Sequence, residues 1–223
     1  NIRKNSFQEA KKVKNLLKKK QINLKIISNK KKIEKNIQGD ARNIRYDLLS
    51  NFCLKNNIRY LITAHNLEDQ VETFLIRLSR GSGLRGLSAM KSKSKINSKI
   101  DLYRPLLDTK KEFLIKISKK TFGNFIKDPS NKNSKYLRTK VRSLKKPLEE
   151  SGVEYKQIFK SISNLSDSRD SLDDFLKKEF SKIIKKKDSE ILINLKKFKH
   201  HNNEVKMAII NASIKKLKKN YYD

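Results

Sequence analysis

"RYLITAHNLEDQVETFLIRLSRGSG", residues Arg59 to Gly83, decides the fold. Its opening, Arg59–His65, is a short apolar run that reads as a buried strand. From Leu67 the period changes. Leu67, Val71, Phe74, Leu75 and Leu78 recur at spacings of three and four, so they share one face of a helix. Asn66 stands where an N-cap belongs, and Glu68 and Asp69 in the first turn are favoured by the helix dipole, by about 0.3–1 kcal/mol each. At roughly 100° per residue, Asp69 falls opposite the apolar stripe and Glu72 lies about 60° from Asp69. Both are expected to face away from the core, with Glu68 nearer its boundary. The dipole effect fades after one turn, so it leaves Glu72 unexplained.

Working outward, "ARNIRYDLLSNFCLKNN" (Ala41–Asn57) reads as a helix, "INLKIIS" (Ile22–Ser28) as a short strand, and "SFQEAKKVKNLLKKK" (Ser6–Lys20) as a first helix. In that first helix Ser6 and Glu9 have capping-box spacing, and Ala10, Val13, Leu16 and Leu17 form the apolar stripe. Helix, strand, helix, strand, helix is the order of a parallel α/β sheet. In such a sheet ligands sit in the crevice beyond the carboxyl ends of the strands, which is where the acidic cluster falls. His65, at the strand end beside it, is a further candidate.

Beyond the quoted stretch, Ser88–Tyr103 is rich in Lys and Ser and reads as a hairpin or loop. "RPLLDTKKEFLIKISKKTFG" returns to a helix entered near Asp108 and closed by Gly123. "DPSNKNSKYLRTKVRSLKKPLEE" reads as a polar turn entering a basic helix that Pro147 interrupts. Arg138 and Arg142 stand four apart on that helix and share a face, an arrangement able to clamp phosphates. A boundary is expected near residue 150. After it come a long amphipathic helix through Ile158–Ile184, a short strand "EILINL" and a last helix from Asn202. The turn Arg80-Gly81-Ser82-Gly83 has two readings, a helix C-cap or backbone N–H groups close to an anion, with Arg85 nearby.

Composition points to the partner. The 223 residues carry 55 Lys+Arg against 23 Asp+Glu, a formal charge of +32. An AT-rich coding bias accounts for abundant Lys and Asn, not for scarce Glu. Clustered cations that neutralise phosphates release counterions, so a polyanion, most simply RNA, is the expected partner. No long uncharged apolar stretch argues for a membrane. The single cysteine, Cys53, lies on a helical pattern and is expected to be a buried thiol. One cysteine allows no internal disulfide and no paired-cysteine metal or redox site within these residues, which fits a reducing cytoplasm. His200 and His201 lack partners at metal spacing and are expected at the surface.

Taken together, "ARNIRY", "HNLEDQVETFLIRLSRGSGLRGLSAM", "RPLL" and "DPSNKNSKYLRTKVR" resemble the tRNA(Ile)-lysidine synthetases in order and spacing. The resemblance runs from residue 1 to about 150. It implies a Rossmann-like parallel sheet of the PP-loop ATP pyrophosphatase type over residues 1–150. A mainly helical tRNA- or substrate-binding domain would follow over 151–223. It implies that ATP adenylates the wobble cytidine of an isoleucine tRNA and that the lysine amine then displaces AMP. ATP, L-lysine and isoleucine tRNA are the implied partners, and Mg²⁺ the ion that ATP chemistry brings, with no dedicated metal ligands. Residue by residue, Asp69, Glu72 and Arg45 match the family's acidic pair and its partner arginine, the implied catalytic set. His65, Arg80, Gly81, Ser82, Gly83 and Arg138 are the implied nucleotide contacts, and Arg85, Lys140 and Arg142 the RNA contacts.

Two departures stand out. The family's His-His-x-Asp-Asp run is here His65-Asn66-Leu67-Glu68-Asp69, with the longer Glu in place of the first acid. Its phosphate loop, Ser-Gly-Gly-x-Asp-Ser, does not occur in these residues. The resemblance therefore implies an N-terminally truncated piece whose first strands lie upstream, and residues 1–223 alone are expected to be inactive. The alternatives are a catalytically inactive RNA-binding fragment and another PP-loop tRNA-modifying enzyme such as a thiolase.

Overall fold

The computed structural model describes residues 6–29, 37–123, 137–187 and 190–217. Two compact units emerge, residues 1–162 and 163–223.

In the first unit α1 (Ser6–Lys18) and α2 (Ile37–Lys55) precede strand β1 (Tyr60–Ile62). Helix α3 (Leu67–Leu78) and the short α4 (Leu84–Leu87) follow, then β2 (Lys93–Lys95), β3 (Asp101–Tyr103) and α5 (Lys111–Phe122). Next come α6 (Leu137–Ser143) and α7 (Lys145–Glu150). The sheet order is β1-β3-β2. Strands β1 and β3 are parallel, with Leu61 opposite Leu102, and β2 runs antiparallel to β3. A parallel pair cannot be joined by a tight turn, and α3 lies in the crossover. The chain is thus α/β, with a small mixed sheet in place of a wholly parallel one.

The basic Ser88–Tyr103 stretch does form the hairpin its composition indicates. It also supplies the middle strand of the sheet, because Ile100 and Leu102 alternate inward to near-complete burial. Two strand expectations need correcting. Ile22–Ser28 forms no strand and has no ladder partner among the described residues. It lines an open cleft of about 820 Å³ together with Leu49 and Phe52 of α2 and Leu61 of β1. A strand needs a neighbouring backbone at ladder distance, which apolar alternation alone does not provide. Strand β1 is also less buried than its apolar run implies, since Tyr60 and Ile62 are 60% and 67% exposed. Among the described residues β1 has β3 as a hydrogen-bonded neighbour on one edge only.

The core of this unit is built on the predicted stripe of α3. Leu67 and Val71 are buried with Ala89, Tyr155 and Ile162, and Phe74, Leu75, Leu148, Ile158 and Phe159 pack around them. The other end of the stripe, Leu78, is 49% exposed. Cys53 is buried as a free thiol. Helix α5 closes at Gly123 in the left-handed region (φ 75°), as its sequence predicts. The basic helix breaks at Leu144 into α6 and α7, three residues before Pro147, whose ring nitrogen cannot bond the Ser143 carbonyl. The polar turn expected at Asp128–Asn131 lies outside the described residues.

Helix α8 (Tyr155–Ile183) contributes its first two turns to the first unit and the remainder to the second. In the second unit β4 (Ile184–Lys187) pairs antiparallel with β5 (Glu190–Ile193). The strand at β5 is foreseen from sequence, but its partner in the "IKKK" run is not. Helices α9 (Leu195–Lys199) and α10 (Asn203–Leu217) complete the unit. Ile183, Ile184, Val205 and Ile209 form its core. His200 is exposed, as expected, and His201 is half-buried, its Nε2 3.3 Å from Glu179 Oε2 and its ring edge-on to Phe175. Among the described residues no helix is long and apolar enough to cross a membrane.

Candidate active site

The head of α3 is set by a reciprocal cap. Asn66 Oδ1 accepts the Asp69 N–H at 3.1 Å, and Asp69 Oδ2 accepts the Asn66 N–H at 3.1 Å. Part of the acidic cluster is therefore helix-start chemistry, as the spacing allows. Asp69 still has its other oxygen to spend. Oδ1 lies 3.6 Å from Arg138 Nη2 and 3.8 Å from Arg142 Nη2.

Glu72 departs from the expectation that it faces away from the core. Its side chain is 4% exposed, because α6 packs over that side of α3. A helical wheel separates residues from their own helix's apolar stripe and knows nothing of a second helix laid on the polar side. A carboxylate buried like this needs partners. Glu72 Oε2 accepts from Arg138 Nε at 2.8 Å and Oε1 from Arg142 Nε at 2.6 Å. Two carboxylates and two guanidiniums thus form one balanced cluster, and the four-residue spacing of the arginines is what lets both reach it. The guanidiniums are about one-third exposed, so the cluster opens to solvent on their side.

Glu68 turns out to be structural. Its Oε2 accepts the Lys111 N–H at 2.9 Å, capping α5, whose own N-cap Lys110 offers no side-chain acceptor. Its Oε1 lies 3.4 Å from Lys145 Nζ, which also sits 5.4 Å over the Tyr155 ring. The longer arm of Glu, compared with the Asp of the family pattern, serves that reach to a neighbouring helix.

His65 Nδ1 lies 2.9 Å from the Thr63 hydroxyl, the donor being set by the tautomer. Burial lowers its pKa from 6.5. Asp69 pulls the other way, and Arg104, Arg42 and Arg138 add to the lowering. The imidazole is thus neutral near pH 7. A folded-state value below the unfolded one means that His65 contributes stability above its ordinary pKa and that this is lost as pH falls through the folded value. We expect the unfolding midpoint to fall as pH drops below about 6.5. His65→Gln should flatten that slope, and equal slopes in thermal melts of the two proteins would contradict it.

The structure does not bring every candidate together. Arg80, Gly81, Ser82, Gly83 and Arg85 lie beyond the far end of α3, roughly 16 Å along the axis from Asp69. There Gly81 adopts φ 68° and the segment behaves as the helix-ending turn. Arg45 is exposed on α2 and makes no ion pair with either carboxylate. Lys140 is exposed on α6. Two residues missed in the sequence hold the region in shape. Gln70 exchanges two 2.8 Å hydrogen bonds with the Met90 backbone, and Arg77 Nη1 donates to the carbonyls of Gly86 and Ala89. They stand seven apart on one flank of the stripe, which was the available signal.

A PP-loop domain model matches residues 1–148. The tRNA(Ile)-lysidine synthase of Wolbachia pipientis wMel is 35% identical over 194 residues, covering 86% of this chain and 45% of that protein. The tRNA(Ile)-lysidine synthase of Orientia tsutsugamushi (strain Boryong) is 46% identical over 118 residues, covering 53% of this chain and 26% of that protein. Among solved structures, the U34-tRNA thiolase NcsA from Methanococcus maripaludis with its 4Fe-4S cluster superposes with a TM-score of 0.56. It shares 18% identity over 71% of this chain and 55% of that one, a likeness of fold. The chain spans less than half the length of these two curated relatives. With the match running over more than half of the 223 residues, this chain belongs to the PP-loop domain family.

Proposed function

We propose that the protein carrying this chain joins lysine to carbon 2 of the wobble cytidine of an isoleucine tRNA, using ATP to adenylate that base and releasing pyrophosphate and then AMP. One observation carries the reading. Asp69 and Glu72 stand side by side at the head of α3, already holding cationic side chains at 2.6–3.8 Å. A site that binds two guanidiniums has the charge and lone pairs to take a lysine ammonium in their place. Lysine must also shed a proton before its amine can attack, and carboxylates are suitable acceptors. Arg138, released from Glu72, would have a phosphate as its natural second partner. His65, neutral and next to this cluster, would contribute a hydrogen bond without adding charge. Arg45 and the Arg80–Gly83 turn keep only the support of the resemblance, as do Arg85, Lys140 and Arg142 as RNA contacts.

On this reading the first unit, residues 1–162 where 1–150 was expected, carries the catalysis, the second, 163–223, binds RNA, and the +32 charge serves the tRNA. Among the described residues no group of three or more His, Cys, Asp or Glu side chains is placed to hold a metal ion, so no step is assigned to Mg²⁺. A thiolase-type reaction has less support, since Cys53 is 2% exposed and has no second cysteine in these residues.

The test uses the full-length protein with ATP, labelled lysine and an isoleucine tRNA whose wobble base is cytidine. Lysine-dependent modification of that base is the expected product. Binding of the tRNA with no incorporation of lysine would favour the RNA-binding reading, and sulfur incorporation would favour the thiolase.

A further inference from the structure

Among the described residues two buried side-chain polar atoms lack a hydrogen-bond partner, Arg104 Nε and Tyr155 Oη. Arg104 is anchored otherwise, through Nη1 to the Lys91 carbonyl and the Ser94 hydroxyl. Tyr155 has a single polar side-chain atom, and it is unspent. A buried hydroxyl without a protein partner is costly, and phenylalanine would avoid the cost, so the oxygen calls for a reason.

Its surroundings supply one. Tyr155 is 4% exposed and packs with Leu67 and Val71 of α3, the turns that carry Glu68 and Glu72. Lys145, 3.4 Å from Glu68, lies over its ring. Burial, and then the charges of Glu72, Glu149 and Glu68, push the phenol up to about 12. It therefore remains a neutral O–H donor across the working pH range, packed beside the α3 residues that adjoin Glu68 and Glu72.

In the free protein each Glu72 oxygen accepts from one guanidinium Nε. An ammonium arriving at Glu72 competes for those lone pairs and draws a guanidinium away. A glutamate that loses one of two fixed donors regains torsional freedom at the moment its geometry matters. Building on the lysine-site reading above, we infer that Tyr155 is a positioning residue for Glu72, its hydroxyl donating to that carboxylate once a substrate ammonium displaces an arginine.

The experiment compares Tyr155→Phe with the unmodified full-length protein in lysine transfer to isoleucine tRNA, in tRNA affinity and in thermal unfolding. The expected result is a kcat lower by about 10-fold, with tRNA affinity unchanged and a melting temperature equal to or above that of the parent. A purely structural tyrosine would not separate activity from stability in this way. A variant within twofold of the parent in kcat would overturn the inference. So would a melting temperature that falls together with activity, since the hydroxyl would then be bonded already in the resting protein. If the unmodified protein shows no lysine-dependent turnover, the lysine-site reading fails and this inference falls with it. An active parent beside an unimpaired variant removes the inference alone.

Discussion

Asp69→Asn in the full-length protein is expected to slow lysine transfer by at least about 100-fold while leaving tRNA affinity close to its original value. Asparagine is the informative replacement because Asp69 has two roles. Its Oδ2 caps α3 by accepting the Asn66 N–H, and an amide oxygen can still do that. What the amide lacks is the charge that its other oxygen presents to Arg138 and Arg142. Helix and fold are thus expected to survive, with only the cation site weakened. Steady-state kinetics beside a tRNA-binding titration checks the separation. An unchanged rate would remove Asp69 from the chemistry and leave it as a cap.

Glu72→Ala should disturb structure as well as activity. The carboxylate is buried and accepts from both arginines of α6, so its removal leaves the two guanidiniums with Asp69 alone, at 3.6 and 3.8 Å, to balance them. Breaking a fully buried pair costs about 3–5 kcal/mol. With the guanidiniums one-third exposed and partly screened, a loss of about 1–3 kcal/mol is expected here. Denaturant unfolding measures it. Glu72→Gln, which keeps shape and one acceptor, should lose less stability but as much lysine transfer. An Ala variant as stable as its parent would mean that α6 is held on α3 by packing through Val141 and its neighbours, and that the ion cluster contributes nothing.

Much of this architecture was legible in the residues. The apolar stripe from Leu67, the Asn66 cap, the Gly123 stop and the buried Cys53 follow from short-range rules, because each depends on neighbours within a turn or two. The strand at Ile22–Ser28 failed for the opposite reason. Its apolar alternation is local, while the partner that would make it a strand is not. The same holds for β4, whose lysines show no strand pattern until β5 pairs with them.

The candidate site divides along the same line. Residue types and spacing set Asp69 and Glu72 off the apolar stripe and placed Arg138 and Arg142 on one face, while the resemblance made the two acids a pair. That they meet was decided by the tertiary structure, which lays α6 across the polar side of α3 and buries Glu72 between them. It also gave Glu68 to the start of α5 and separated the Arg80–Gly83 turn from the carboxylates by the length of a helix. Periodicity reports which way a side chain leaves its own helix. What it then meets depends on a segment about seventy residues away, and no local pattern encodes that.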